Sequence, residues 1–208
     1  MPISLRPILS RQDTDRIHEL SLSLLEQVGI DYRTPRAVET LASIGGRANG
    51  DGTRVRLPRE TVAWALEQAP RVVRLCARDP NRDVVLDGSR PHHTTDSQGT
   101  KAIDLETGER RAATAEDLRR ALLFADALDQ VEIVNITVAA GDVPAHERTL
   151  RHFGLAFAQT SKHVRSGVLR PAEVPYLVEM AKAACGSEGF RPIFSAVDCT
   201  ISPLTHDG

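Results

Sequence analysis

The C-terminal part of the sequence alternates short apolar runs with segments long enough for helices, and this alternation restricts the possible folds strongly. The apolar runs span residues 131–138, 164–169 and 193–197, and each is rich in β-branched side chains. Such continuous apolar runs are typical of strands buried on both faces of a parallel sheet. Residues 145–160 and 171–184 are long enough for connecting helices, which gives the order β-α-β-α-β.

This order leaves two architectures, a doubly wound sheet or a segment of a (β/α)₈ barrel. In both, ligands bind at the carboxyl ends of the parallel strands. Asp142 follows the first strand, Ser166 lies in the second, and Asp198 and Ser202 follow the third. The sequence therefore predicts small and acidic groups along one rim of the sheet, and these four residues are candidate site residues.

The charge composition argues against nucleic acid as a partner. The net charge at pH 7 is -2, and basic and acidic residues are interspersed. The start of the chain lacks a basic segment followed by a long apolar core, and no apolar run approaches the ~18 residues of a membrane span. We therefore expect a cytoplasmic protein that contacts neither membranes nor nucleic acid.

Cysteine and histidine spacing gives no indication of a metal site. The 3 cysteines form no Cys-x-x-Cys pair, so reduced thiols are expected. The 7 histidines show no His-x-x-x-His spacing. No Gly-x-Ser-x-Gly motif marks a serine nucleophile. The sequence predicts no metal ligands and identifies no catalytic residue.

Residues 1–90 are predicted to form a small α+β region, distinct from residues 91–208. Its first helix is expected to be capped by Asp13 and to end at Gly29. Apolar residues recur at helical spacing along this helix and are expected on a buried face. They include Ile17, Leu20 and Leu24.

The rest of the N-terminal region predicts two more helices and several strands. A second helix begins at Pro35, where the missing N–H costs nothing. Residues 54–58 alternate as a half-exposed strand does, and residues 59–69 return to helical spacing with Val62, Trp64 and Leu66 inward. An antiparallel pair is expected from residues 72–77 and 84–86, separated by turn-forming residues.

The most polar compact run of the chain spans residues 92–100. Asp96 has a carboxylate that can face a cation. Thr95, Ser97, Gln98 and Thr100 can donate hydrogen bonds to an anionic group. A solvated loop with Asp96 as an exposed turn carboxylate accounts for the same composition. Both interpretations stay open.

Residues 102–111 predict a hairpin that turns at Thr107 and Gly108. A helix follows, with Thr114 as its N-cap and Asp117 three residues later. Leu118, Leu122 and Leu128 recur at helical spacing and are expected to be buried.

Eight short segments, taken together and in order, resemble the trimethylamine methyltransferase family. They are LLEQVGI at 24–30, VRLP at 55–58, ARDP at 77–80, DLETGERR at 104–111, AEDL at 115–118, GDVP at 141–144, KH at 162–163 and ISPL at 201–204. The resemblance extends over nearly the whole chain. It implies α/β architecture, the start of a (β/α)₈ TIM barrel of about three βα units after the small α+β region.

The resemblance also implies a reaction. Family members move a methyl group from an amine, such as trimethylamine or glycine betaine, to the cobalt of a separate corrinoid protein. The corrinoid is thus expected from a partner and not as a bound cofactor of this chain. Family members are longer than this chain, so we expect a partial barrel that self-associates as a homo-oligomer. The alternative is a non-catalytic binding or assembly module.

Substrate chemistry then suggests roles for the polar candidates. A quaternary ammonium has no N–H to donate, so carboxylates and aromatic faces hold it, whereas a betaine carboxylate needs donors. Asp96, Asp142 and Asp198 are candidates for the cation, and for the last two a helix-capping or loop role is the alternative. The expected substrate-binding residues are Thr95, Asp96, Ser97, Gln98, Asp142, Ser166, Asp198 and Ser202.

Overall fold

A computed structural model describes residues 8–50, 52–97, 99–168, 170–186 and 190–196, together with the backbone of Thr205 and His206. The chain divides into two compact units. One unit comprises Met1–Pro70 with Thr200–Gly208, and the other comprises Arg71–Cys199. Residues 71–90 lie in the second unit, where Asp83 accepts from Arg191 at 2.6 Å.

The first unit combines three helices with a four-stranded sheet. The helices are α1 (Arg11–Gln27), α2 (Pro35–Ser43) and α3 (Arg59–Gln68), and the strands are β1 (Ile30–Tyr32), β2 (Arg47–Ala48), β3 (Arg54–Arg56) and β11 (Thr205–His206). The strand order is β11-β1-β3-β2. β11 is parallel to β1, and the other pairs are antiparallel. The predicted second and third helices are confirmed, with Pro35 in the first turn of α2.

Two expectations for α1 were wrong. Ser10 and not Asp13 is the N-cap, and Asp13 is the third residue of a capping box. The apolar stripe is also not buried, since Leu20 is 60% exposed. The reason is that the polar side of α1 faces α3: Arg59, the first residue of α3, binds Glu19 at 2.6 Å and Glu26 at 3.3 Å.

The inward face expected for α3 was wrong for two of its three residues, whereas Val62 is half-buried. Trp64 and Leu66 are both exposed. Thr61 is the buried residue of this helix, and its hydroxyl donates to the Ile44 carbonyl at 3.3 Å. The spacing predicted a helix correctly but could not identify which side of it the neighbouring elements cover.

The second unit contains two antiparallel hairpins and an alternation of helices with parallel strands. The hairpins are β4 (Val73–Leu75) with β5 (Val84–Leu86) and β6 (Lys101–Ile103) with β7 (Arg110–Ala112), and both were predicted. The alternating elements are α4 (Ala115–Ala127), β8 (Ile133–Asn135), α5 (Arg148–Gln159), β9 (His163–Arg165), α6 (Val174–Cys185) and β10 (Phe194–Ser195). No helix in the described ranges is both long enough and apolar enough to cross a membrane.

The three predicted strands lie side by side in the order β10-β9-β8. Both pairs are parallel, which confirms the expected direction. The register places Val134 beside Val164 and Val164 beside Phe194. Chain connections through α5 and α6 make this arrangement possible, because parallel neighbours need a crossover.

The polar run before the first predicted strand adds a fourth parallel segment, which the sequence did not reveal. Thr94 bridges Ile133 and Gly99 bridges Val138, both in parallel orientation. The Gly99 N–H donates to the Thr137 carbonyl at 2.8 Å, and the Ala139 N–H donates to the Gly99 carbonyl at 2.9 Å. The described sheet therefore has the order of the segment that carries Thr94 and Gly99, then β8, β9 and β10.

Helices α4, α5 and α6 pack on the same face of this sheet. Leu118 of α4, Phe153 of α5 and Leu177 of α6 share one core with Val134 and Val164. All five side chains are almost fully buried. The predicted cap of α4 is confirmed, since the Thr114 hydroxyl accepts from the Asp117 N–H. One continuous apolar core thus lies between the sheet and the three helices.

Candidate functional site

The strand β8 and the residues after it present two chemically different faces. Val134 and Ile136 lie in the core under the helices, and Val138 packs against it. Asn135 and Thr137 alternate with them, so their side chains lie on the opposite face of the sheet. The predicted buried strand is confirmed, since Ile133, Val134 and Asn135 are all buried. Its two faces nevertheless differ, because the face opposite the helices combines the apolar Ile133 with the polar Asn135 and Thr137.

Asn135 anchors the polar face to the 94–99 segment. Its Nδ2 atom donates to the Thr95 carbonyl at 2.9 Å, and its N–H donates to the Thr95 hydroxyl at 2.8 Å. The Thr95 hydroxyl donates in turn to the Asn135 carbonyl at 3.0 Å. These bonds fix the Asn135 side chain in one orientation.

Two oxygen atoms on this face have no hydrogen-bond partner among the described residues. They are the Oδ1 atom of Asn135 and the Oγ1 atom of Thr137, and both atoms are buried. Asn135 as a whole is only 7% exposed. Unpaired buried polar atoms cost about 1–3 kcal/mol, so their presence needs an explanation such as a bound polar ligand. The two oxygens mark the candidate site.

Neighbouring strands continue the polar face at the same level. Arg165 of β9 is in register with Asn135 of β8 and with Ser195 of β10. The two isolated bridges share one offset, which places Asp96 level with Asn135. The face therefore combines amide, guanidinium and hydroxyl groups across three adjacent strands, and Asp96 lies level with them on the neighbouring segment.

His163 lies at the start of β9 and is buried. Its Nδ1 atom lies 2.8 Å from the Cys76 carbonyl oxygen and its Nε2 atom lies 2.8 Å from the Ser195 hydroxyl. A carbonyl only accepts, so Nδ1 carries the proton and Nε2 accepts from Ser195. Burial lowers the pKa of His163, although the Cys76 carbonyl opposes this effect. The neutral ring joins β9, β10 and the β4–β5 hairpin.

The structure places the predicted residues of the polar run at the sheet edge. Thr95 is half-buried and bonded to Asn135. Asp96 and Ser97 are exposed, and the Ser97 N–H donates to the Asp96 carboxylate at 2.8 Å. Gln98 lies outside the described residues. The polar run is thus part of the sheet, with Thr95 facing β8.

The remaining predicted residues do not gather at one point. Asp142 accepts from the Ala115 N–H at 2.9 Å, so it caps α4. Ser166 is buried and lines a cavity that also contains Phe153, on the helix side of the sheet. Asp198 and Ser202 lie outside the described residues. Thr95 and Asp96 are therefore the predicted residues that the described structure brings level with Asn135.

Sequence reasoning missed Asn135, Thr137 and His163 as site residues. The signal for the first two was the strict alternation of residues 134–138, Val-Asn-Ile-Thr-Val, which indicates a strand with one polar face. His163 lies in one of the segments that resemble the family, but its hydrogen bonds could not be inferred because its partners Cys76 and Ser195 are distant in sequence. Within the described ranges, no three His, Cys, Asp or Glu side chains are placed to hold a metal ion.

Comparison with known proteins gives the family. The family model described as trimethylamine methyltransferase matches residues 2–208. The chain belongs to this family. The predicted resemblance is thereby confirmed over practically the whole sequence.

Individual relatives agree with this family. A trimethylamine methyltransferase of Desulfitobacterium hafniense strain DSM 10664 is 32% identical over 198 residues, which are 94% of this chain and 40% of that protein. A glycine betaine methyltransferase of Desulfitobacterium hafniense strain Y51 is 26% identical, over 96% of this chain and 42% of that protein. A proline betaine:corrinoid methyltransferase of Eubacterium limosum is 26% identical over 71% of this chain and 29% of that protein. The chain thus spans less than half the length of these family members.

Proposed function

We propose that this chain acts in amine:corrinoid methyl transfer, with the polar sheet face as the surface that binds the methylated amine. The unpaired oxygens of Asn135 and Thr137 carry the proposal, because they supply fixed polar groups on an otherwise well-packed sheet. Relatives named as trimethylamine, glycine betaine and proline betaine methyltransferases support the substrate class.

The fold behind this proposal is the opening part of a (β/α)₈ barrel. A doubly wound sheet has helices on both faces, whereas a barrel keeps its helices on the outside. Here Leu118, Phe153 and Leu177, each from a different helix, pack in the one core that contains Val134. The face with Asn135 would then be the inside of the barrel.

The candidate residues suit different parts of a betaine. Asp96 carries a carboxylate that attracts a quaternary ammonium, and the guanidinium of Arg165 is in register with Asn135 on the same face. The oxygen of Asn135 is held still by the bond from Nδ2 to Thr95. Orientation is the main requirement for this chemistry. A quaternary ammonium that gives its methyl group to cobalt leaves as a neutral tertiary amine, so no proton has to be supplied.

The corrinoid would supply the cobalt that accepts the methyl group. The unpaired oxygens of Asn135 and Thr137 are separated by one residue of an extended strand, roughly 7 Å. This spacing fits a small polar ligand and offers no extended surface for a corrinoid ring. We therefore assign the corrinoid to a separate partner protein and give no residue of this chain a direct role in binding it.

A transfer assay tests the proposal on this chain. The protein is incubated with reduced free cobalamin and trimethylamine, glycine betaine or proline betaine, and formation of methylated cobalamin is followed by absorbance. We expect transfer from one of the donors and a loss of about tenfold or more in the variants Asn135→Ala and Thr137→Val. No transfer from any donor, together with no binding of any donor by calorimetry, contradicts the proposal.

A second function is a binding module without methyl transfer. It is favoured by the two unpaired oxygens, because fixed polar groups on the sheet suffice for binding and identify no group that acts on the methyl. The same experiment separates the two functions. Saturable betaine binding that weakens in Asn135→Ala, without any methylated cobalamin, supports the module.

A further inference from the structure

A separate cavity of about 190 Å³ opens at the carboxyl ends of β8 and β9. Ile136, Val138 and Phe153 form its apolar wall. Ile136 and Phe153 belong to the core between the sheet and the helices. The cavity therefore lies on the helix side of the sheet, on the opposite face from Asn135 and Thr137.

Two polar side chains in this cavity each have an atom without a hydrogen-bond partner among the described residues. Ser166 is 6% exposed, and its hydroxyl makes no hydrogen bond to the part of the chain that the structure describes. The Nε atom of Arg148 is buried and also has no partner there, while its Nη2 atom donates to the Val143 carbonyl at 3.1 Å. One Arg148 contact thus holds the guanidinium and leaves another of its N–H groups available.

The N-terminus of α5 supplies further donors to the same space. Arg148 and Thr149 are the first two residues of this 12-residue helix, and both line the cavity. The N-cap residue Glu147 makes no side-chain capping bond. The first N–H groups of a helix have no partner within the helix, and its dipole attracts negative charge.

The charges around the cavity leave Arg148 as its cation. His152 lines the cavity, and its Nε2 atom accepts from the Ala140 N–H at 3.3 Å. Burial, assisted by Arg148, lowers the pKa of His152 to about 4, so the ring is neutral near pH 7. The carboxylate of Asp142 is engaged by the Ala115 N–H, and that of Glu147 by Arg151 at 2.8 Å.

We propose that this cavity binds a small monocarboxylate, with Arg148, the Ser166 hydroxyl and the first N–H groups of α5 holding the carboxylate group. The apolar wall would contact a short hydrocarbon part. A water molecule occupies about 30 Å³ of liquid, so the volume suits a ligand of a few heavy atoms. One guanidinium matches one negative charge, which favours a carboxylate over a phosphate dianion.

Acetate is the probe for this proposal, and isothermal titration calorimetry on the chain is the measurement. We expect saturable binding of acetate that weakens about tenfold or more in Arg148→Gln and measurably in Ser166→Ala. Arg151→Gln is the matched control, because Arg151 lies on the same helix but pairs with Glu147 on the surface. The Arg151→Gln variant should bind acetate with the same affinity as the original chain.

Three outcomes overturn the proposal: no saturable acetate binding, an equal loss in Arg151→Gln, or tighter binding of inorganic phosphate than of acetate. Circular dichroism of each variant establishes that it is folded, and Ser166→Ala serves if Arg148→Gln does not fold. Acetate binding needs neither a methyl donor nor cobalamin. A failure here therefore leaves the proposed methyl transfer unaffected, and the converse also holds.

Discussion

The Ser195 hydroxyl donates to the Nε2 atom of His163 at 2.8 Å, in a pair that joins two parallel strands through their side chains. The other ring nitrogen of His163 bonds the Cys76 carbonyl at 2.8 Å, so both nitrogens of a buried imidazole are satisfied. The backbone register already places Ser195 beside Arg165, and the side-chain bond to His163 adds a contact two residues earlier along β9. The relationship fixes β9 and β10 relative to the hairpin at residues 73–86.

The first prediction concerns this pair. Ser195→Ala leaves the Nε2 atom of a buried ring without a donor, and we expect the free energy of unfolding to fall by about 1–3 kcal/mol. Urea denaturation followed by circular dichroism measures the change. Ser89→Ala is the control, because Ser89 is an exposed serine of the same unit. Equal stabilities of the two variants would show that the His163 bond contributes nothing.

The second prediction separates binding from stability at Thr137. Its buried Oγ1 atom has no partner among the described residues, so Thr137→Val should keep or raise the free energy of unfolding, by up to about 1 kcal/mol, while weakening donor binding. Thr160→Val is the contrast, because the Thr160 hydroxyl donates to Asp126 at 2.8 Å and its loss should destabilise the chain. Denaturation and betaine titration of both variants are the measurements. A destabilised Thr137→Val would indicate that this hydroxyl has a structural partner.

The third prediction concerns pH and His152. Burial lowers its pKa in the folded chain from the ordinary 6.5 to about 4, so between these pH values the unfolded chain binds more protons. The free energy of unfolding therefore includes the full contribution of neutral His152 above pH 6.5. This contribution decreases as the pH falls towards 4, by about 3 kcal/mol in total.

Unfolding free energies of the original chain and of His152→Gln, measured from neutral pH down to pH 4, test this dependence. Glutamine keeps an acceptor for the Ala140 N–H but does not titrate. The difference between the two curves should shrink or reverse as the pH falls. Parallel curves would mean that His152 is protonated at similar pH in the folded and unfolded chains.

The fourth prediction concerns Gly29, which follows α1 with a φ of 77°. A Cβ atom at this position would press against the Val55 carbonyl oxygen, in addition to the cost of a positive φ. Gly108 has a φ of 74° but open space around it, so Gly108→Ala isolates the backbone cost alone. We expect Gly29→Ala to lose about 1–2 kcal/mol more than Gly108→Ala in thermal or urea unfolding. Equal losses would show that β3 moves aside freely.

Local chemistry allowed much of the fold to be predicted from the sequence. Thr114 and Asp117 mark the start of α4 because a capping box uses neighbours three residues apart. The three apolar runs pair as parallel strands, as their connections through helices require. Each of these features depends on residues close together in the chain.

The missed features depend on which surfaces meet in three dimensions. The apolar spacing of α1 indicates a stripe, but the contact of Arg59 with Glu19 determines that another side faces α3. The polar run could be interpreted as a loop because its side chains give no strand pattern, whereas Thr94 and Gly99 pair with the neighbouring strand through their backbone. Asn135 could not be identified from the sequence, because only the surrounding structure determines that its buried Oδ1 atom has no partner among the described residues.

Residues 134–137, in strand β8 and just after it, alternate between the two faces of the sheet. Val134 and Ile136 pack in the core under the helices, while Asn135 and Thr137 lie on the opposite face. Substitutions at Asn135 and Thr137 should therefore leave the core beneath the helices intact. Under the proposed function, donor preference can therefore diverge between relatives through these two positions while the fold is kept.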